Sequence, residues 1–237
     1  MGYTAKLTDR SYIIFTTAIN YMPEYLNLET WSRRPLFEFF KGYENPFFNV
    51  STSVDVTNLL DITRVNKNIS FFIAYHFLSM KSANEVKPFR YRLHGDRILV
   101  HDRIHAGTIV LLADENFSFA YFDYEEDFGV FQTHAKATVE RLLDSPPQLY
   151  QRADRDDLIY HSVLPWTSFT GVTHARDKHR EESVPKITFG KYHEDGDRIK
   201  MPISVEVHHA LMDGLHVGRY LEKFEGYLSD PRAVLGL

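Results

Sequence analysis

The chain has 237 residues, 43% hydrophobic and 25% charged, with a net charge of −5 and no cysteine. Such a composition is that of an ordinary soluble globular protein, and the missing cysteines exclude disulfides, thiolate nucleophiles and Cys-ligated zinc. Charges of both signs are spread without a basic block, which argues against a nucleic-acid partner. A chain this long buries roughly three quarters of the surface its unfolded form exposes, so it needs no staples.

Residues 1–26 read as an N-terminal extension and 27–237 as a single domain, because no repeat, low-complexity tract or linker interrupts them. Lys6 and Arg10 precede a short apolar run at Tyr12-Ile13-Ile14-Phe15, but no small-residue cleavage site follows, so a cytoplasmic protein is expected rather than a secreted one. Thr30 is placed to cap a helix over 31–40. Residues 50–57 read as a strand and 68–82 as a buried helix; the apolar stretch 69–80 is too short to span a bilayer and carries His76, so no membrane association is expected. Phe89, Tyr91 and Leu93 alternate with Arg90 and Arg92, the period of a half-buried strand. His94-Gly95-Asp96 then turns the chain into a second strand over 98–101. Strands follow over 108–112 and 117–122.

Residues 125–143 form a helix with Phe128, Phe131, Ala135, Val139 and Leu142 on one face, ended by Pro146-Pro147. Strands are expected over 158–164 and 186–192, and Glu194-Asp195-Gly196-Asp197 is a turn. The next strand has the clearest alternation: Ile199, Met201, Ile203, Val205 and Val207 against Lys200, Pro202, Ser204 and Glu206. A helix over 215–228 buries Val217, Leu221, Phe224 and Leu228. Helices and strands mix without strict alternation and hairpins imply antiparallel pairing, so the fold class is α/β with a mixed, largely antiparallel sheet flanked by helices in two layers.

That alternating strand delivers the chain to His208-His209-Ala210-Leu211-Met212-Asp213-Gly214 just before a helix. The end of a rigid strand fixes a side chain well, and a histidine ring titrates near neutrality, which suits proton transfer. Adjacent histidines on a strand point to opposite faces, so only one serves a given site. Gly214 would allow a tight strand-to-helix turn. On spacing alone, a structural His pair stands beside the catalytic reading. A metal site on His208, His209 and His216 fits no standard zinc spacing, so no metal is expected.

The stretch from Met201 through the His-His-x-x-x-Asp-Gly segment to Arg219 resembles the signature of the chloramphenicol acetyltransferase superfamily. That group also holds the acyltransferase cores of 2-oxoacid dehydrogenase complexes and peptide-synthetase condensation domains. Further segments match in order: Leu28-Glu29-Thr30-Trp31-Ser32-Arg33-Arg34, Phe37-Glu38-Phe39-Phe40, Phe89-Arg90-Tyr91-Arg92, Phe117-Ser118-Phe119, Ser162-Val163-Leu164-Pro165-Trp166-Thr167-Ser168-Phe169 and Ile187-Thr188-Phe189-Gly190-Lys191-Tyr192. The resemblance covers about 27–230.

It implies an acetyl-CoA-dependent O-acetyltransferase that works without a covalent acyl-enzyme or a metal. His209, the second of the pair, would be the general base, and Ser162 would donate to the oxyanion. Thr188 would help hold a water, with a plain strand threonine as the alternative. Asp213 would pair with Arg33 to hold the catalytic segment in shape. Lys191 and Tyr192 would lie near coenzyme A, or be an ordinary strand Lys and Tyr. The resemblance further implies a homotrimer with sites between subunits, acting on a small hydroxylated acceptor.

The acceptor pocket departs from the pattern. Positions that are apolar or aromatic in the drug-modifying enzymes hold Glu44, His174, Arg176 and Glu182, and a typical Tyr is Phe40. Burying those charges against an apolar acceptor is costly, so the acceptor is chloramphenicol or a more polar hydroxylated molecule. Two other readings stand beside it: an acyltransferase core fed by dihydrolipoamide, which would carry a lipoyl domain and linker that this sequence does not show, and a catalytically silent binding protein.

Overall fold

The structure, a computed structural model, describes residues 24–147, 155–176 and 182–237. Its centre is a six-strand path in the order β2-β10-β8-β7-β5-β6, comprising β2 (Phe47–Asp55), β5 (His105–Leu111), β6 (Phe117–Phe122), β7 (Leu158–Leu164), β8 (Lys186–Gly190) and β10 (Arg198–His208). The short β9 (His193–Asp195) pairs with β10 across the turn at Gly196, whose φ of 62° suits glycine. The β7–β8 and β5–β7 pairs are parallel and the others antiparallel. Helices α2 (Thr57–Val65), α3 (Phe71–Asn84), α4 (Phe128–Leu143) and α5 (Gly214–Ser229) cover one face and share a core with it; α6 (Pro231–Leu235) closes the chain. Among the described residues no helix is long and apolar enough to cross a membrane.

A second, smaller core lies beside this one. β1 (Glu24–Tyr25), β3 (Tyr91–His94) and β4 (Arg97–Val100) form a three-stranded sheet that packs with α1 (Arg34–Phe40). Phe37, Tyr91, Ile98 and Val100 are buried there together with Ala210 and Leu211. The segment carrying His209 is therefore built into the minor core, while its Met212 belongs to the major one.

Several local expectations are corrected. Thr30 caps no helix: its hydroxyl donates to the Asn27 carbonyl, and α1 begins only at Arg34, where Pro35 supplies the fixed φ that a first turn accepts. The first long strand starts earlier than expected and stops at Asp55, and α2 follows it unforeseen from Thr57, with Leu59, Leu60 and Ile62 buried. Pro88 sits in a 3-10 turn over Lys87–Arg90, so Phe89 and Arg90 are not in the strand. Arg92 does not alternate outward. It is buried and donates to the carbonyls of Phe89, Tyr91, Asp156 and Leu158, holding the minor sheet to the start of β7.

β10 also breaks its apparent alternation. From Met201 to His208 every residue is buried, because β2 and β8 flank it and residues 167–176 run across its second face. Pro202, Ser204 and Glu206, which alternation assigned to solvent, lie under that segment. In α5 the buried ring between Val217 and Phe224 is Tyr220, and Leu221 is only partly covered.

Candidate active site

β10 ends at His208, and the chain turns at once into α5. The turn is tight because the Leu211 and Met212 amides both donate to the His208 carbonyl, at 3.0 and 3.2 Å. Asp213 has an extended φ of −134° and caps α5 by accepting from the Leu215 amide, while His216 Nδ1 accepts from the Asp213 amide at 3.1 Å. Gly214 is not the residue that makes this turn possible: it takes an ordinary helical position with open space around it.

The structure brings Arg33 and Asp213 together in an ion pair with side chains 14% and 29% exposed. Arg33 also donates to the His209 carbonyl at 3.4 Å. Burial raises the Asp213 carboxyl pKa, but the Arg33 charge, His216 and the Leu215 amide outweigh it, so the net shift is downward. Asp213 thus holds the backbone of the histidine segment and does not touch the ring. The His209 imidazole stacks on Phe40, with centroids 3.8 Å apart and planes 8° from parallel, and packs against Phe48 at 4.7 Å. Its Nδ1 is buried with no hydrogen-bond partner among the described residues. His208 points the other way, toward Phe47 and Arg176, and burial, with Arg176 and His209 adding, lowers its pKa to about 4.

Ser162 and Thr188 lie elsewhere on the sheet. Strand register puts Ser162, Thr188, Ser204 and Ser51 side by side on one face of β7, β8, β10 and β2. His209 lies five residues beyond Ser204, and two strand spacings separate β10 from β7. At about 3.3 Å per residue and 4.8 Å per strand, the His209 and Ser162 backbones are about 19 Å apart within one chain.

Two cavities are lined by residues of β7, one by Ser162 itself and the other by the residues that follow it. A cleft of about 610 Å³ is walled by Phe71, Tyr75, Leu111, Val163 and Trp166, with Lys191 and Tyr192 on its lining. The Tyr192 ring meets Phe71 edge-on at 5.9 Å. A second cavity of about 260 Å³ is lined by Ser162, Tyr160, Thr108, Phe119, His174 and Lys186 among others. Ile109 lines both. Neither includes His209.

Of the charged positions that depart from the family pattern, three gather around the second cavity. His174 Nε2 is 2.9 Å from Thr188 Oγ1. Arg176 pairs with Glu206 and, at 3.4 Å, with Glu182, and its guanidinium lies over the Phe47 ring. Lys186 closes the group at 3.2 Å from Glu182. Glu44 is exposed in the turn between α1 and β2, and Phe40 belongs with His209. Sequence reasoning missed Phe48, Lys186 and Glu206. Register between β2 and β10 could have signalled Phe48, but Glu206 was hidden by the false alternation of β10. Among the described residues no group of three or more His, Asp or Glu side chains is arranged to hold a metal.

A sequence profile of the chloramphenicol acetyltransferase family matches residues 19–225. The chain belongs to the chloramphenicol acetyltransferase family. It is 26% identical over 206 residues to the chloramphenicol acetyltransferase of Escherichia coli, covering 86% of this chain and 93% of that one. A solved chloramphenicol acetyltransferase superposes with a TM-score of 0.81 at 28% identity, covering 87% of this chain and 100% of the other. The cubic core of the pyruvate dehydrogenase multienzyme complex shares the fold at a TM-score of 0.61 and 18% identity. Membership makes the chain an acyltransferase and accounts for the mixed sheet with helices on its flank.

Proposed function

We propose that the protein is an acetyl-CoA-dependent O-acetyltransferase whose active site is completed between two copies of the chain in a homotrimer. The observation that carries this reading is the strand register, which by ideal strand spacing separates His209 from Ser162 by about 19 Å on one sheet. A base and an oxyanion donor must both lie within about 3 Å of the reacting atoms, so a second copy has to bring its His209 to the Ser162 face. Neither of the two cavities beside the β7–β8 pair includes His209, which supports a shared site.

The apolar cleft fits the pantetheine arm of coenzyme A: its walls are hydrocarbon and aromatic, and Lys191 offers a cation to a phosphate. Coenzyme A supplies an acetyl group as a thioester. His209 removes the proton from the acceptor hydroxyl as that oxygen attacks the carbonyl carbon, the new C–O bond forms, and the Ser162 hydroxyl donates to the carbonyl oxygen while it is negative. His209 then returns the proton to the departing sulfur as the C–S bond breaks. General-base help is worth about 100- to 10,000-fold and one oxyanion donor about 3 kcal/mol. Thr188 holds its hydroxyl beside Ser162, and Arg33 with Asp213 keeps the histidine segment in place. We place the enzyme in the cytoplasm.

Thiol release from acetyl-CoA with a panel of alcohols, chloramphenicol included, tests this. The purified chain releases thiol in the presence of at least one alcohol, and His209→Ala falls by 100-fold or more with its fold intact. Silence across the panel would favour a binding protein.

A further inference from the structure

The ladder between β5 and β7 stops short of Ser162. The two strands pair from His105–Leu158 to Gly107–Tyr160 and no further, although β5 runs on to Leu111 and β7 to Leu164. Among the described residues Ser162 is therefore paired on one side only, with Thr188 of β8. Residues of both parted strands line the two cavities, and Ile109 lines each. A strand released along one edge is free to roll about its own axis, and a roll of about 10–20° spoils the aim of a catalytic side chain.

Helix α3 takes hold where the ladder ends. The next residues of the two strands are Thr108 and His161, and each is held from α3 instead. His76 Nδ1 donates to the Phe72 carbonyl at 2.8 Å, which leaves Nε2 of the neutral ring to accept from the Thr108 hydroxyl at 3.1 Å. One turn further along, Ser79 Oγ lies 3.0 Å from His161 Nε2 and 2.8 Å from the Tyr220 hydroxyl of α5. All five side chains are buried. Burial, with His76 adding to it, keeps His161 uncharged near neutral pH. Its ring shares one hydrogen bond with Ser79, and Ser79 completes the run with Tyr220. A group orphaned at this depth has lost water without a replacement, so each member depends on the other two. The His161 ring also lies parallel to Phe189 of β8, 5° apart with centroids at 5.9 Å, which fixes its direction as well as its reach.

We infer that His161, Ser79 and Tyr220 form a buried strut that aims Ser162 from the opposite face of β7, and that His161 is a positioning residue for acetyl transfer. This rests on the proposal that Ser162 donates to the oxyanion. Neighbouring residues of a strand point to opposite faces, so a ring held rigidly at 161 sets the direction of the hydroxyl at 162. The strut ends on α5, whose first turn Asp213 caps, so one buried run joins the strand of Ser162 to the helix that follows the histidine segment.

The test is a kinetic double-mutant cycle on the full chain, with thiol release from acetyl-CoA in the presence of the fastest alcohol of the panel. His161→Leu keeps most of the ring's bulk and loses its hydrogen bond. It lowers kcat by about tenfold or more, since a misplacement of about 1 Å costs up to about 100-fold. KM for both substrates stays within about twofold of the wild type, because only an interaction made in the transition state is lost. His161→Gln, whose amide reaches Ser79, restores most of kcat. Ser162→Ala lowers kcat by about 100-fold, and adding His161→Leu to it lowers kcat no further, because the strut then has no hydroxyl to aim. A wild-type kcat in His161→Leu, a His161→Gln no better than His161→Leu, or equal losses with and without the Ser162 hydroxyl overturns the inference and leaves acetyl transfer standing. Ser162→Ala with a wild-type kcat, or no thiol release with any alcohol, overturns the reading of the site and this inference with it. Where His161→Leu folds poorly, Tyr220→Phe removes one oxygen from the far end of the strut and enters the same cycle, with a fall in kcat of about threefold that vanishes in the Ser162→Ala background.

Discussion

Replacing Asp213 with alanine removes two supports of the histidine segment at once. The first is the cap on α5, where Asp213 accepts from the Leu215 amide, worth about 1 kcal/mol. The second is the ion pair with Arg33. A fully buried pair costs about 3–5 kcal/mol when one partner is lost. Side chains 14% and 29% exposed keep some water, which reduces the loss to about 2 kcal/mol. The sum is about 3 kcal/mol, or a fall in Tm of roughly 6–12 °C for a chain of this size. Asp213→Asn keeps the cap and loses the charge, so it should fall by roughly two thirds as much. Arg33→Met combined with Asp213→Asn should cost less than the sum of the singles by about 1–2 kcal/mol, because each single strands a charge that the double does not. Urea unfolding of the wild type, the three single variants and the double measures this. Additive costs, or an Asp213→Ala variant with a Tm and turnover near the wild type, would refute the pairing as the support of the site.

Acid should loosen the fold before the carboxylates titrate. Burial lowers the pKa of both His76 and His208 to about 4, against 6.5 for a free ring, and drives His161 well below its ordinary value. Between pH 6.5 and 4 the unfolded chain binds protons at these rings and the folded chain does not, so stability is full above pH 6.5 and is lost as pH falls toward 4. The unfolding free energy from urea titrations should therefore drop between pH 7 and pH 5 by more than about 1 kcal/mol per pH unit, and a flat profile would contradict the burial of these rings. A methyl group at Gly190 would lie 2.9 Å from the Phe169 ring and 3.2 Å from Pro202 Cβ. Gly190→Ala should thus push residues 167–176 off β8, cost about 1–3 kcal/mol in urea and raise KM for acetyl-CoA, since Gly190 also lines the apolar cleft.

How much of this was legible in the sequence depended on whether one chain segment carried the signal. The histidine segment, β7 and the helical face of α4 were readable because hydrophobic period and motif lie within a few residues. The Arg33–Asp213 contact came only through the family resemblance, since no local pattern joins positions 180 residues apart. β10 misled because a strand buried on both faces can still alternate in residue type when its polar side chains find partners: Glu206 meets Arg176 of the covering segment and Ser204 meets Asn49 of the neighbouring β2. The start of α1 misled because Pro35, not the hydroxyl of Thr30, sets it. The distance between His209 and Ser162 was beyond the sequence altogether, because it follows from strand order.

Mixing two inactive variants tests that distance most directly. On the proposed mechanism His209→Ala chains lack the base and Ser162→Ala chains lack the oxyanion donor, so each alone should be nearly inactive. If the chain forms the proposed cyclic trimer, co-expression at equal levels gives mixed assemblies in which one interface pairs an intact His209 with an intact Ser162, and activity should return to roughly a quarter of the wild type. No recovery in mixed assemblies that are shown to form would mean that both side chains serve the same chain, and the shared site would fall.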